Sequence, residues 1–420
     1  MAVELCHKVG LEESLIGPNS QGRHAFVVGN GRLHPIPAGF MVMAPSRIRP
    51  MIASRILSVR GKLRVGLEYL LPRNISDADE SLAGFVRRRF GREMFDRLVQ
   101  PLVGSIFAPD PRQLSLDATM PHFRQMERDH GSLIRAALRQ QRTQPSENCG
   151  GARYGKFAAL RNGMSTLVDA LSRHLPPQSI QLTSPVDRLI LLNDGGWLLS
   201  IGGERPRRLQ VDGVVIATPA YQGAKILADV DPALSKLLAG IQYASCAVVS
   251  LGYRRVQIGH PLNGFGFVVP LVEQRNIFSC SFSSVKYTGR APNDSVLLRV
   301  FIGGARQSGL LRLSNDELVE LASLEVSDLL QIRGAPVMRH VTRHNRAMAQ
   351  YHVGHRDRVA SISRSRERFP ALALAGSAYT GVGVPACIRS GQAAARQVLS
   401  QLKAVTSSSS AAHIGTATFA

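Results

Sequence analysis

The stretch that most constrains the fold of this chain runs from Leu372 to Ile388, near its C-terminal end. Leu372 to Ala375 is an unbroken apolar run, as expected of a strand buried on both faces. Pro385 suits the first turn of a helix, where a missing N–H group has no consequence. Three glycines, which allow positive φ and close approach to the backbone, lie between them: Gly376, Gly381 and Gly383. The pattern predicts a buried strand, a glycine turn and a helix.

The predicted helix carries small or apolar residues at helical spacing, at Cys387, Gly391, Ala394, Val398 and Leu402. Its N-terminus would present free N–H groups and a partial positive charge, which suit an anion or a polarised carbonyl group. Glycines alone nevertheless favour an ordinary strand–helix connection over a ligand site. A functional interpretation therefore needs support from the rest of the chain.

Composition predicts a globular, reduced protein. With 420 residues, 44% of them hydrophobic, the chain is expected to form two or three domains. The five cysteines are scattered and lack metal-ligand spacing, which indicates a cytosolic protein without a metal site. The uncharged run from Phe369 to Ile388 is long enough to span a membrane, but prolines and glycines interrupt it. We expect buried strand and turn there.

The chain is strongly basic, with a net charge of +21, and 44 of its 51 basic residues are arginine. Such a balance suits nucleic acid, an anionic membrane face or a carboxylate-bearing substrate, or reflects arginines scattered over solvated faces. Arg87 to Arg89 and Arg205 to Arg208 are short clusters without a zinc-finger, RNP or helix-turn-helix pattern. Nucleic acid is therefore not expected as a partner.

Local patterns divide the chain into helical and mixed regions. Met1 to Ile16 predicts an amphipathic helix, and Arg23 to Gly31 a strand entering a hairpin turn. Helices are predicted from about Gly39 to Gln141, with apolar stretches at 36–45 and 98–109 that suit either core packing or a monotopic membrane patch. Later elements are predicted helices at 165–175 and 315–332 and strands at 180–182, 186–192, 197–201, 211–217, 247–253, 264–270 and 296–302.

No catalytic constellation of side chains is visible in the sequence. It has no nucleophile elbow, no paired histidine ligands and no Ser/His/Asp set. Chemistry without catalytic side chains usually belongs to a cofactor.

Several stretches, spread in order over nearly the whole chain, resemble the oxygen-dependent protoporphyrinogen and coproporphyrinogen III oxidases of the amine-oxidase superfamily. The matching stretches are Gly31–Pro37, Phe85–Gly91, Gln100–Ala108, Leu114–Leu116, Ala347–Tyr351, Val353–His355 and Ser390–Ala394, with the opening residues. The resemblance implies FAD as cofactor, a propionate-bearing porphyrinogen as substrate and O2 as final acceptor. It leaves open protoporphyrinogen against coproporphyrinogen, and whether the chain is a homodimer.

The resemblance also implies an α/β fold of mixed α+β character. It comprises an incomplete FAD-binding domain of the glutathione-reductase type, a mixed-sheet substrate domain and a helical membrane-associating block, in a cytoplasmic protein with possible peripheral contact to the membrane face. The expected segments are FAD domain 1–15, 149–219 and 366–404, substrate domain 16–35 and 220–365, helical block 36–148 and a disordered tail 405–420.

Five residues fall on positions that bind the substrate in the family. Arg23 stands where the family has its propionate-binding arginine, a role that suits a guanidinium. Phe265, Val268 and Phe301 stand at positions that sandwich the macrocycle, although strand spacing would equally suit plain core. Ser105 replaces a glycine that lets the ring pass, so its hydroxymethyl group either narrows the slot or is accommodated.

The FAD positions gather around the glycine turn. The resemblance implies cofactor contacts at Val186, Arg343, Gly376, Gly381, Val382, Gly383, Pro385 and Ala386. The helix that begins at Pro385 would stabilise charge at the pyrimidine side of the flavin. The chain departs from the family at Ala386, which replaces Asp or Asn, at Ala349, which replaces Pro, and at His344, which replaces Trp. No acid–base catalyst is implied.

The sequence contains no strand–Gly-x-Gly-x-x-Gly–helix unit to hold the ADP half of FAD. We expect either a start codon upstream of Met1 or a chain that binds FAD poorly. The alternatives kept open are an inactive porphyrin-binding or interaction protein and another flavin oxidoreductase of the amine-oxidase superfamily.

Overall fold

A computed structural model describes residues 1–20, 24–45, 47–107, 110–143 and 157–414. The chain forms two compact units, each assembled from separate stretches. Unit 1 comprises Met1–Glu13, Ser165–Gln242 and Gly354–Ala420, and unit 2 comprises Ser14–Met164 and Tyr243–Val353.

The described helices are α1 (Ala2–Lys8), α2 (Ile48–Ala53), α3 (Val59–Gly66), α4 (Leu82–Phe90), α5 (Arg92–Met94), α6 (Gln100–Phe107), α7 (Leu116–Thr119), α8 (Pro121–His130), α9 (Leu133–Thr143), α10 (Ser165–Arg173), α11 (Ala220–Ile226), α12 (Pro232–Ala239), α13 (Ser283–Lys286), α14 (Asn315–Leu330), α15 (His355–Arg366) and α16 (Val384–Ile414). A π-helical turn, Phe95–Val99, joins α5 to α6.

The described strands are β1 (Leu15–Ile16), β2 (Phe26–Gly29), β3 (Arg32–Pro35), β4 (Phe40–Met41), β5 (Ala44–Pro45), β6 (Ala159–Leu160), β7 (Val186–Leu191), β8 (Trp197–Ile201), β9 (Arg207–Val211), β10 (Val214–Ile216), β11 (Tyr243–Arg254), β12 (Gly266–Val268), β13 (Ser279–Phe282), β14 (Ser295–Gly303), β15 (Met338–Ala349) and β16 (Leu372–Leu374).

Unit 2 is built on a seven-stranded mixed sheet in the order β15-β11-β14-β13-β12-β2-β3. Among its described strands, only β12 and β2 run parallel. Alternation along β14 places Val296, Leu298 and Val300 in one core with buried residues of α14. The intervening residues, among them Arg299 and Phe301, point to the opposite face. One face is therefore core, and the other is available for a different use.

A buried ion pair ties together the helices of unit 2. Glu68, fully buried, accepts hydrogen bonds from Nε of Arg89 (2.9 Å) and from the N–H groups of Leu133 (2.9 Å) and Ile134 (3.1 Å) at the start of α9. Arg89, also fully buried, donates to the Pro72 carbonyl at 2.9 Å. The charges are thus satisfied by each other, by backbone groups and by the N-terminal end of α9.

Unit 1 contains a parallel pair, β10 and β16, and an antiparallel meander in the order β7-β8-β9. Helix α16 packs on both strands of the parallel pair, and α1 contacts α16. Helix α11 contacts β7 and α12, and α12 contacts α15. Residues 220–242 therefore belong to unit 1, whereas the resemblance assigned residues from 220 onwards to the substrate domain.

Most predicted elements are present, but several expectations differ from the structure. The region predicted as helical from about Gly39 opens with the strand pair β4 and β5. The expected helix over 1–16 ends at Lys8 and is followed by a 3-10 turn and β1. The predicted strand at 180–182 is wrong, because the chain there forms a turn in which Thr183 has φ +52°. Helix α16 continues to Ile414, where composition predicted disorder from residue 405.

None of the described helices combines the length and the hydropathy that a membrane-spanning segment requires.

Replacing Glu68 with Ala should lower the free energy of unfolding by about 3–5 kcal/mol, because it leaves the Arg89 charge buried without its main partner. Denaturant titration measures the effect. The control is Asp77→Ala, which removes an exposed ion pair with Arg128 and should cost less than about 1 kcal/mol. An equal loss of unfolding free energy in the two variants would show that the buried Glu68–Arg89 pair does not hold the helices of unit 2 together.

Candidate functional site

The glycine turn predicted between strand and helix is present in unit 1. The N–H group of Ala375 donates to the carbonyl of Ile216 at 3.0 Å, which extends the pairing of β16 with β10 by one residue. Gly376 then turns the chain with φ +120° and donates its N–H group to Oγ of Ser390 at 3.0 Å. Ser390 on α16 therefore fixes the start of the turn to the helix that follows it.

Gly381 is required by both conformation and space. Its φ is +149°, which residues with side chains rarely adopt, and a Cβ atom there would lie 2.7 Å from Cβ of Ala386. The carbonyl of Gly383 accepts the N–H groups of Ala386 (2.9 Å) and Cys387 (3.0 Å) and starts the helix. The turn therefore closes against the first residues of α16.

The N-terminal end of α16 has backbone N–H groups that are available to donate to a ligand. Within the described part of the chain, the N–H groups of Val382, Gly383 and Val384 donate to no other residue. Gly383, Val384 and Pro385 are exposed. Unpaired N–H groups at the positive end of a long helix can donate to a carbonyl or an anion. The sequence prediction for this turn is confirmed in its local structure.

Small residues bring α16 close to the strands that precede it. Ala373 and Ala375 pack with Ala394 and Val398 of the helix in one buried cluster. A Cβ atom on Gly213 would lie 2.6 Å from Cγ1 of Val398, so this position admits only glycine without rearrangement. Close packing fixes where the helix begins relative to the end of β16.

A buried histidine that the sequence did not single out supports the same turn. His355 Nε2 donates to the carbonyl of Tyr379 at 3.0 Å, and the imidazole is almost fully buried. Val186, the remaining predicted cofactor residue of unit 1, is half-buried at the start of β7 and pairs in register with Ile201. It lies in the meander rather than in the turn.

Predicted substrate residues meet on the non-core face of the sheet in unit 2. Val268 of β12 lies opposite Ser279 of β13, which lies opposite Phe301 of β14, so the three form one row across the sheet. Helix α6 contacts β12. Its Ser105 is exposed and donates its hydroxyl to the carbonyl of Leu102 at 2.7 Å, so the extra group is satisfied within the helix.

Of the two other predicted substrate residues, the structure describes Phe265 and not Arg23. Phe265 is buried, and its N–H group donates to the carbonyl of His24 at 2.9 Å. Arg23, the predicted propionate ligand, lies outside the described residues, directly before His24. A backbone hydrogen bond therefore joins Phe265 to His24, the residue that follows the predicted arginine in the sequence.

Arg343, predicted near the flavin, is committed to backbone groups in unit 2. Its guanidinium donates to the carbonyl of Leu311 (2.7 Å), the carbonyl of Leu313 (2.5 Å) and Oδ1 of Asn315 (2.9 Å). These contacts hold the loop before α14 against β15. The predicted cofactor contact of Arg343 stays a prediction.

Residues 2–399 match the protein family described as flavin containing amine oxidoreductase. The chain belongs to this family. A flavin is the cofactor that the family carries, and the turn fits such a group: it combines unpaired N–H donors with a glycine at which a side chain would clash. When bound, the flavin would supply the redox chemistry that the side chains lack.

Individual relatives of this flavin oxidoreductase are similar over nearly its whole length. A coproporphyrinogen III oxidase from Bacillus subtilis is 31% identical, with 96% of this chain and 84% of the relative covered. The coproporphyrinogen III oxidase of Propionibacterium freudenreichii is 33% identical (97% and 81% covered). The mitochondrial protoporphyrinogen oxidase of Nicotiana tabacum is 29% identical (96% and 84% covered).

A solved structure extends the likeness to the fold. The crystal structure of a candidate protoporphyrinogen oxidase from Exiguobacterium superposes with a TM-score of 0.82 at 27% identity, covering 96% of this chain and 85% of that one. Cyclohexylamine oxidase from Brevibacterium oxydans shares the fold at a TM-score of 0.62 and 16% identity. The α/β fold of amine-oxidase type is therefore confirmed.

Replacing Gly381 with Ala should lower the free energy of unfolding by about 1–3 kcal/mol, because it combines a strained φ with a contact against Ala386. It should also lower the flavin bound per chain, measured from flavin absorbance after gel filtration. Gly391→Ala is the matched control, because that site in α16 has open space around its Cα and should gain about 0.5–1 kcal/mol. A Gly381→Ala protein with wild-type stability would contradict this account of the turn.

Proposed function

We propose that this protein oxidises a porphyrinogen to the porphyrin in haem biosynthesis, with FAD as cofactor and O2 as final electron acceptor. The observation that carries the proposal is the row of Val268, Ser279 and Phe301 on the non-core face of the sheet, with α6 beside it. Near full-length similarity to coproporphyrinogen III and protoporphyrinogen oxidases supports it. The residues that the resemblance assigned to the macrocycle come from distant parts of the sequence.

We assign cofactor binding to unit 1 and substrate binding to unit 2. Unit 1 holds the flavin through the turn from Gly376 to Ala386, and Val186 contributes a backbone contact. Unit 2 binds the macrocycle, and Arg23 takes one propionate as a charge-assisted pair. A flat apolar ring needs an apolar surface, which Val268 and Phe301 supply on the sheet.

The described side chains of the row supply orientation rather than proton transfer. When bound, FAD would supply the redox chemistry, taking up the reducing equivalents that the porphyrinogen loses from its bridging carbons and pyrrole nitrogens and passing them to O2. Ser279 is the polar member of the row, and it has no ionisable group. Positioning the reacting carbon is therefore the main task of this face. The N–H groups of Val382 to Val384 would stabilise negative charge on a ligand at the N-terminal end of α16.

Purified protein should show a flavin spectrum and should generate porphyrin fluorescence from coproporphyrinogen III or protoporphyrinogen IX in air. Phe301→Ala should raise KM about tenfold with a smaller change in kcat, because it removes an aromatic contact to the ring. The control is Phe369→Ala, a half-buried phenyl of unit 1 that packs near Trp197.

The outcomes separate the alternatives. A flavin-bearing protein inactive on both porphyrinogens would argue for another oxidoreductase of the family. Porphyrin binding without flavin would argue for a non-enzymatic binding protein.

We further propose that the helical part of unit 2 contacts the cytoplasmic membrane face peripherally. Val59, Leu63 and Leu70 are 73%, 67% and 75% exposed, and they repeat at helical spacing along α3 and the 3-10 turn after it. Arg60 and Lys62 flank this stripe. Exposed apolar residues beside basic ones suit the interface of an anionic bilayer.

Combining Leu63→Glu with Leu70→Glu should reduce flotation with phosphatidylglycerol vesicles at least about tenfold, since each leucine contributes about 1.5–3 kcal/mol when buried. Leu324→Glu is the control, because Leu324 on α14 is equally exposed at 75%. Flotation that survives the double substitution would move the contact away from this stripe.

A further inference from the structure

Three cations of unit 2 lie over two aromatic rings, those of Tyr287 and Phe301. Nζ of Lys286 lies 5.5 Å from the ring centre of Tyr287, and Cζ of Arg290 lies 6.0 Å from the same centre. Arg299 completes the group, with its Cζ 5.6 Å from the ring centre of Phe301. Together, Lys286, Arg290 and Arg299 form a basic cluster.

Backbone contacts hold the basic cluster in place. The N–H group of Leu297 on β14 donates to Oγ of Ser284 on α13 at 3.0 Å, which ties the helix of Lys286 to the strand of Arg299. Nη2 of Arg290 donates to the carbonyl of Leu160 at 2.7 Å. Asn19 donates its N–H to the carbonyl of Lys286 at 3.0 Å. Three separate chain segments therefore anchor these side chains.

The electrostatics of the cluster favour an anion. Burial, and then the charge of Arg299, lower the pKa of Lys286. Arg299 itself is exposed on β14, and partial desolvation, followed by the charge of Arg290, lowers its pKa. Within the described part of the chain, the guanidinium of Arg299 makes no hydrogen bond and no ion pair. Mutually repelling cations gathered in one place are stabilised when a carboxylate or similar anion joins them.

The cluster adjoins the row proposed for the macrocycle. Arg299 and Phe301 are two residues apart on β14, so their side chains share the non-core face about 7 Å apart. In register, Arg299 lies opposite Ser281 of β13, next to Ser279 of the Val268 row. A ligand lying on Phe301 would therefore bring peripheral groups within reach of Arg299.

We propose that the basic cluster binds additional carboxylates of the substrate and thereby selects a tetracarboxylate porphyrinogen, coproporphyrinogen III, over a dicarboxylate one. This inference rests on the proposed function and deepens it. The basic cluster offers guanidinium and ammonium donors to these carboxylates, and the side chains of Phe301 and Tyr287 would contact the ring that carries them. The cluster would act on binding and not on the oxidation step.

Arg299→Gln should separate the two substrates. Fluorescence titration of the purified protein should show a Kd for coproporphyrin III about 10–100-fold higher than wild type, as expected for losing a charge-assisted contact. The Kd for protoporphyrin IX should change less than about threefold. KM for coproporphyrinogen III should rise by a similar factor with kcat little changed. Lys286→Met should act in the same direction, and Arg299→Lys should restore part of the affinity.

Arg254→Gln is the control, because it removes the same charge from an exposed arginine that pairs with Asp294 at the end of β11. It should leave both Kd values unchanged, and thermal melting should confirm that all variants are folded. Equal weakening of both porphyrins by Arg299→Gln, or no weakening of either, would overturn the proposal while leaving porphyrinogen oxidation standing. A wild-type protein that neither binds nor oxidises a tetrapyrrole would overturn both.

Discussion

Close packing of α16 on β16 is the constraint on which the candidate cofactor site depends. Ala373 and Ala375 meet Ala394 and Val398 in one buried cluster, and larger side chains would push the helix outwards. The position of the helix determines where its first N–H groups lie. Gly381 then closes the turn against Ala386 in space that a Cβ atom would fill. Ala394 and Val398, further along α16, thus help to determine where the exposed N–H donors at the start of the helix lie.

In unit 2 a comparable role belongs to the two-residue period of the strands. On β14 it sends Leu298 and Val300 into the core and Arg299 and Phe301 to the other face. The core face is closed by α14, whose buried residues belong to the same cluster. The non-core face can therefore carry aromatic and charged residues without weakening the core. The proposed binding surface and the stabilising core thus lie on opposite sides of the same strands.

Local structure that depends on neighbouring residues could be predicted from the sequence. Contacts between residues far apart in the sequence could not. The glycine turn and the hairpin of β2 and β3 follow from local conformational preference. The strand predicted at 180–182 failed because three alternating residues are too weak a signal beside flanking prolines and a positive φ at Thr183. Nothing local identifies His355 as the partner of Tyr379 or Arg343 as a clamp for the loop before α14.

The sequence alone did not show what the many arginines do. The partners of the individual guanidinium groups indicate it. Arg89 is buried against Glu68, and Arg275 pairs with Glu325, so these guanidiniums serve the fold. Arg299 differs, because among the described residues its guanidinium has no carboxylate or carbonyl partner and faces away from the core. Arg299 is exposed beside two other cations on the face that carries Phe301, and it is this charge that we assign to a carboxylate-bearing ligand. The same composition therefore contains structural and ligand-directed arginines, and only their partners distinguish them.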